Sequence, residues 1–397
     1  MFMKKKLRLL HMESLPHHVV EHILERAPAK SLLRFKAVSK QWKSTIESRI
    51  FQERQLKHRQ QSGGPDVLMV SVLRYEDGCS DPDMKPSGIE SLRTLVLGSS
   101  SSVKIPTPWE NQYHFVSRTS CDGLVCLYSP LRTGFVVNPT TRWHRVLPLS
   151  NYQQLLIGVG EDTFFDQFFG LSFLLKNKFF SLGFGKDKFT GTCKPVWLYN
   201  SAELGLENAT TCEVFDFSTN SWRYVTHPAP YRVTCHDPAY VDGSLYWFTD
   251  CLETQLLSLD LHTEAFQVIC KAPFANVRPH KMVMSNLDNR LCVSTNTKIP
   301  SQDIWSFDPG NKTWDKIYSI DLGQTRHLDI RVFLALTPLA LLDGDKKKNK
   351  KKKLLYFGRE PSQKLAIHDP ETQSYDVAFT ADSIGRPVCY FQSLISV

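Results

Sequence analysis

The stretch Asp242-Gly243-Ser244-Leu245-Tyr246-Trp247-Phe248, followed by Asp260-Leu261-His262-Thr263-Glu264-Ala265-Phe266, decides the fold because its pattern recurs along the chain. A turn comes first, then a short apolar strand, then a second turn that opens on an acid and reaches an aromatic residue. The first half returns as Asp122-Gly123 before residues 124–127, Asp288-Asn289 before residues 291–293 and Asp343-Gly344 before residues 354–357. The second half returns as Asn138…Trp143, Asp216…Trp222, Asp308…Trp314 and Asp369…Tyr375. Asp or Asn suits the head of such a turn because its side chain can bond the backbone two residues on. The aromatic then begins the returning strand, where it can pack between sheets.

Spacing sets the architecture. From Trp222 to Phe266 is 44 residues, and from Phe266 to Trp314 is 48. From Trp314 to Tyr375 is 61, or 53 without the eight residues 346–353. Four-stranded propeller blades repeat at roughly 40–50 residues. From Trp143 to Trp222 is 79, nearly two units, which predicts one degenerate unit between them. The expectation is an all-β domain, a β-propeller of about six blades in residues 120–397, closed by strands from residues 66–118. An aligned β-sandwich is the alternative that the same local pattern admits.

Upstream the texture is helical. Val19, Val20, Ile23 and Leu24 fall at helical spacing after Ser14, a candidate cap, with Pro16 suited to a first turn. Pro28 stops that helix and can open a second carrying Leu32, Leu33 and Phe35. Val38, Trp42 and Ile46 mark a third, continuing through a charged stretch to Gln61. Ser62-Gly63-Gly64-Pro65 breaks the pattern. The layout is a basic tail (1–13), a helical unit (14–60), a linker (61–65) and a β domain (66–397) with residues 346–353 as a lysine-rich insertion.

Composition narrows the class. The chain has 397 residues, 42% of them hydrophobic and 22% charged, which excludes a largely disordered protein. Its net charge of +8 is concentrated: the run from Lys346 to Lys353 holds seven lysines, and Lys4, Lys5, Lys6 and Arg8 add four positive charges. Without those two tracts the net charge is −3, so the folded body has no basic bias of the kind that wraps nucleic acid. The apolar stretch 332–342 is too short to span a bilayer, and the basic N-terminus lacks the apolar core of a signal peptide. Ten cysteines with no CxxC pair read as reduced thiols of an intracellular protein, cytoplasmic or nuclear.

Leu15-Pro16, Ile23-Leu24, Pro28-x-x-Ser31-Leu32, Arg34-Phe35 and Val38-Ser39-Lys40-x-Trp42 occur in an order that resembles the F-box motif, with Lys30-Ser31-Leu32-Leu33-Arg34-Phe35 in its plant form. Ala27 stands where Leu is usual, and His17-His18 where an acid often follows. Downstream, Ser120-Cys121-Asp122-Gly123-Leu124-Val125-Cys126-Leu127, Val137-Asn138-Pro139-Thr140-Thr141-Arg142, Leu182-Gly183-Phe184-Gly185, Glu213-Val214-Phe215-Asp216 and Gly243-Ser244-Leu245-Tyr246-Trp247 are similar to the F-box-associated domain of plant proteins, a kelch-like interaction module. Between Gly185 and Glu213 that family's usual strand is not legible.

The resemblance implies a non-catalytic substrate receptor of a Skp–cullin–F-box ubiquitin ligase. The F-box would dock a Skp-type adaptor, and through it a cullin, on Leu15, Pro16, Ile23, Leu24, Leu32, Leu33, Val38 and Trp42. The β domain would hold a protein target. The physics agrees, since these apolar residues exceed what so small a unit can hide internally. The same resemblance leaves open a binding or scaffolding propeller outside any ligase. It implies no cofactor, no metal, no membrane and no specific nucleic acid.

Enzyme readings are weak beside it. His18-Val19-Val20-Glu21-His22 matches H-x-x-E-H, but no third ligand is identifiable, and the F-box packing needs Val19, Val20 and Ile23. Gly158-Val159-Gly160 and Gly183-Phe184-Gly185 each begin a GxGxxG without its last glycine and read as turns. Cys121 sits at a buried strand and reads as a core thiol. The lysine run reads either as a nuclear import signal or as a solvated insertion between hairpin strands.

Overall fold

The computed structural model describes residues 15–70, 92–109, 114–161, 182–234, 236–274, 282–298, 301–322, 336–343, 351–358, 363–381 and 384–397. The basic tail 1–13, the candidate cap Ser14 and residues 346–350 of the lysine run lie outside the described residues.

The N-terminal unit comprises helices α1 (His17–Glu25), α2 (Ala29–Phe35), α3 (Lys40–Glu47) and α4 (Arg49–Ser62). Pro16 and Pro28 precede α1 and α2, where a missing N–H costs nothing. The third expected helix is two. Ser48 adopts an extended backbone (ψ 137°), donates to the Thr45 carbonyl at 2.8 Å, and accepts from the Phe51 N–H at 3.4 Å. One serine thus closes α3 and caps α4, a break that apolar periodicity does not reveal. Ser39 caps α3 through the Trp42 N–H.

The remainder is a ring of six antiparallel four-stranded sheets. Five are consecutive in the chain, from their inner to their outer strands. Blade 2 runs from Phe115–Cys121 to His144–Leu147, and blade 3 from Leu182–Lys186 to Ser221–Tyr224. Blade 4 runs from Ala239–Val241 to Phe266–Lys271, blade 5 from Met282–Leu287 to Thr313–Asp321, and blade 6 from Thr337–Leu342 to Ser374–Thr380. Blade 1 is composite: its inner strand is the C-terminal Arg386–Tyr390, paired with Asp66–Val70, which continues to Leu92–Leu95 and Val103–Ile105. The six inner strands touch their neighbours in ring order, and the circle closes between blades 6 and 1. The alternative of a sandwich is excluded.

Two expectations about the blades need correction. No degenerate unit separates Trp143 from Trp222, because they belong to adjacent blades; the interval contains helix α5 (Asn151–Glu161), with residues 162–181 outside the described residues. The sixth blade comes instead from the two ends of the domain. The strand missing from the family pattern is present as Cys193–Asn200, paired on both sides. Helix α5 is fastened to blade 3 by Glu213, whose carboxylate accepts from the Asn151 and Tyr152 N–H groups and from the Tyr199 hydroxyl. Burial pushes that carboxyl above its ordinary range.

The second turns form as their chemistry requires. Oδ1 of Asn138, Asp216, Asp260, Asp308 and Asp369 each accepts from the N–H two residues on, and the residue four positions on takes positive φ in every case. Three of the aromatics tie their blade to the one before. Trp222 Nε1 donates to the Pro148 carbonyl, Trp314 Nε1 to that of Lys271, and the Tyr375 hydroxyl to that of Asp321. Each acceptor lies at or just beyond the end of the preceding outer strand.

The glycine pairs are not turns. Gly158 and Gly160 lie in α5, and Gly183 and Gly185 lie in the inner strand of blade 3. A Cβ at Gly183 would come within 2.8 Å of Leu245, and one at Gly185 within 2.6 Å of Tyr240, so the pair allows blade 4 to pack closely. The lysine insertion is also shorter than expected. Lys353 pairs with Leu342 in a strand and bridges Asp369 at 3.0 Å, while Lys352 bridges Asp288 at 2.6 Å.

Candidate functional site

The four helices bury a small cluster of Leu24, Ala29, Leu32, Ile46 and Phe51, flanked by half-buried Val20, Ala27, Leu33, Phe35 and Trp42. The rings of Phe35 and Trp42 meet edge-on at 5.8 Å. Arg54 of α4 clamps α1, reaching Glu21 at 3.1 Å and Glu25 at 2.9 Å.

This packing divides the eight residues singled out in the sequence. Leu24 and Leu32 are interior, at 2% and 0% exposed. Leu33 and Trp42 are half-buried. Leu15, Ile23 and Val38 are 57%, 55% and 60% exposed, and Pro16 is also exposed. Large aliphatic side chains this open have no covering partner among the described residues. Ile50, at 70%, joins them and was missed because the charged composition of α4 hides it.

The helices rest on one face of the ring, the one carrying both kinds of turn. Leu56 of α4 packs in the same cluster as Phe115, Cys121 and Trp197 of the propeller. From the other end of the chain, Leu394 enters the helical cluster and Ile395 enters the propeller cluster. Arg49 of α4 donates to the Ser396 carbonyl at 3.3 Å and lies 3.9 Å from Asp122 in the first turn of blade 2.

A cavity of about 600 Å³ follows the axis of the ring. Gln60, Pro65 and Phe391 line it beside the helices, and Arg118, Ser285 and Asn286 line it further in. Arg118 Nε holds Asp237 at 2.7 Å, and Arg386, lying over the Phe115 ring, approaches the same carboxylate at 3.8 Å. The carboxylates lining the cavity are occupied, Asp122 by Lys186 at 2.5 Å and Asp288 by Lys352 at 2.6 Å.

Among the described residues, nucleophile and metal chemistry find no assembly. Cys121 is buried, and burial pushes its thiol far above the ordinary value. Within the H-x-x-E-H stretch, His22 pairs with Glu25 at 3.5 Å, and among the described residues no three His, Cys, Asp or Glu side chains gather as ligands. Among the described residues, no helix is long and apolar enough to cross a membrane.

Known proteins agree with this arrangement. The family described as F-box domain matches residues 12–54, and that described as F-box associated beta propeller domain matches residues 84–397. An Arabidopsis thaliana F-box/LRR-repeat/kelch-repeat protein is 62% identical, covering 100% of this chain and 100% of that one. Two F-box proteins of the same plant are 50% and 48% identical; each covers 97% of this chain, and the matches span 85% and 100% of their own lengths. This chain belongs to the F-box proteins that carry an F-box-associated β-propeller.

Proposed function

We propose that the chain is the substrate-recognition subunit of a Skp–cullin–F-box ubiquitin ligase, with a Skp-type adaptor on its helices and a protein target on its propeller. The observation that carries this reading is the set of open apolar residues Leu15, Pro16, Ile23 and Val38 on a helical unit whose core is already filled. Apolar anchors surrounded by polar neighbours suit the centre of a protein interface. The helices rest on the turn-bearing face of the ring beside blade 2, so the target belongs on the opposite face, where each outer strand passes to the next blade. The receptor contributes proximity and no bond chemistry.

The test separates surface from core. Ile23→Asp with Val38→Asp should abolish co-purification of the adaptor and leave the melting temperature unchanged. Leu32→Ala should instead destabilise the helical unit by about 2–5 kcal/mol, as loss of a buried leucine does. Full adaptor binding by the Ile23/Val38 double variant would sink the assignment. Whether a cullin accompanies the adaptor distinguishes a ligase receptor from a scaffold outside any ligase.

A further inference from the structure

We infer that residues 391–397 position the adaptor-docking helices, so that the docking unit is assembled from both ends of the chain. This rests on the receptor reading above. After the last strand ends at Tyr390, the chain crosses the turn-bearing face of blade 2 toward the helices. Ser393 is 0% exposed, Leu394 5% and Ile395 1%, so this irregular segment is packed as tightly as a core strand. Leu394 fills the helical cluster while its neighbour Ile395 fills the propeller cluster, so adjacent side chains join the two bodies.

The anchor is Asn138. Its Oδ1 accepts from the Thr140 and Thr141 N–H groups, as Asp does in the other four second turns. Its Nδ2 does something no aspartate can: it donates to the carbonyls of Ser393 at 3.1 Å and Ile395 at 2.8 Å, with the Ser393 hydroxyl also at 3.1 Å. Asn138 is fully buried. The single amide among five otherwise acidic turn heads therefore falls where the tail needs a donor. Gly123 reinforces the point. It has φ +80°, and a Cβ there would collide with the Phe391 carbonyl and the Ser393 hydroxyl. The tail thus lies directly on the Asp122-Gly123 turn.

Releasing the tail would empty the Leu394 site in a cluster with few other members. The helices would then spend less time in the binding-competent form, and apparent adaptor affinity falls by that fraction.

Asn138→Asp is the discriminating substitution, because it preserves the turn and turns a carboxylate against two carbonyl oxygens. In the full chain it should weaken adaptor binding about tenfold or more, in the range expected for a buried donor lost and an unpaired charge created. Leu394→Ala should act in the same direction without touching the propeller, and Asp216→Asn, the mirror change in another turn, should do nothing. A second measurement reads position directly. A spin label on exposed Cys251 and another on Lys43→Cys of α3 should give one narrow distance distribution in the parent, broadened by Asn138→Asp and by Leu394→Ala. If both variants bind adaptor normally and keep the narrow distribution, the inference is overturned while the receptor reading stands. If the parent binds no adaptor, the receptor reading fails, and the distance distributions still decide whether the tail positions the helices.

Discussion

His368 shows how a single side chain can set a pH limit on the whole fold. It is 0% exposed beside Tyr375, and among the described residues neither ring nitrogen makes a hydrogen bond of ordinary geometry. Burial holds its pKa below the ordinary 6.5. The folded state therefore resists a proton that the unfolded chain accepts, so stability is full above that ordinary value and declines as the pH drops below it. His368→Phe should flatten the decline of melting temperature between about pH 6.5 and pH 5, the range in which an unperturbed imidazole charges. An unchanged slope would place the sensitive group elsewhere. Reading the sequence at this scale succeeded for Asp216, Asp260, Asp308 and Asp369, whose side chains act on neighbours two residues away. It could not tell Ile23 from Leu24, since both fit the helical pattern and only tertiary packing turns one outward.

Among the elements, three outer strands share a device: an aromatic at the second turn reaches back to a carbonyl of the preceding blade. Blade 4 places Phe266 at the same position, without a donor, so the ring alone suffices there. Trp222→Phe should accordingly cost only its hydrogen bond, about 1 kcal/mol, seen as a small drop in melting temperature. Trp314 is half-buried, so Trp314→Ala should cost less than the ~3–5 kcal/mol of a fully enclosed aromatic. A larger loss for Trp222→Phe than for Trp314→Ala would contradict this ranking. The lysine run divides in the same way. Deleting residues 345–350 should leave the melting temperature unchanged, whereas deleting residues 346–353 removes Lys353 from its strand and the Lys352–Asp288 bridge, and should lower it. The repeat was legible because its signals are local and periodic. The blade count between Trp143 and Trp222 misled because α5 lengthens one connection without adding a sheet.

Over the whole molecule, the helical unit and the ring are not separable. Leu56 and Ile395 belong to the core of the propeller, and Leu394 to that of the helices. Calorimetry should show one cooperative transition, and two resolved peaks would refute the coupling. Nothing in the sequence could announce this, because a cluster that gathers Leu32 and Leu394 leaves no periodic trace. It also bears on biosynthesis. The docking helices leave the ribosome well before Leu394, yet their core waits for that leucine. A message cut short would thus make a receptor unable to recruit its machinery, silent instead of capturing targets out of turn. Stalled nascent chains ending at residue 385 should fail to capture adaptor that the released full chain binds; equal capture by both would show that the helices mature without their distant partner.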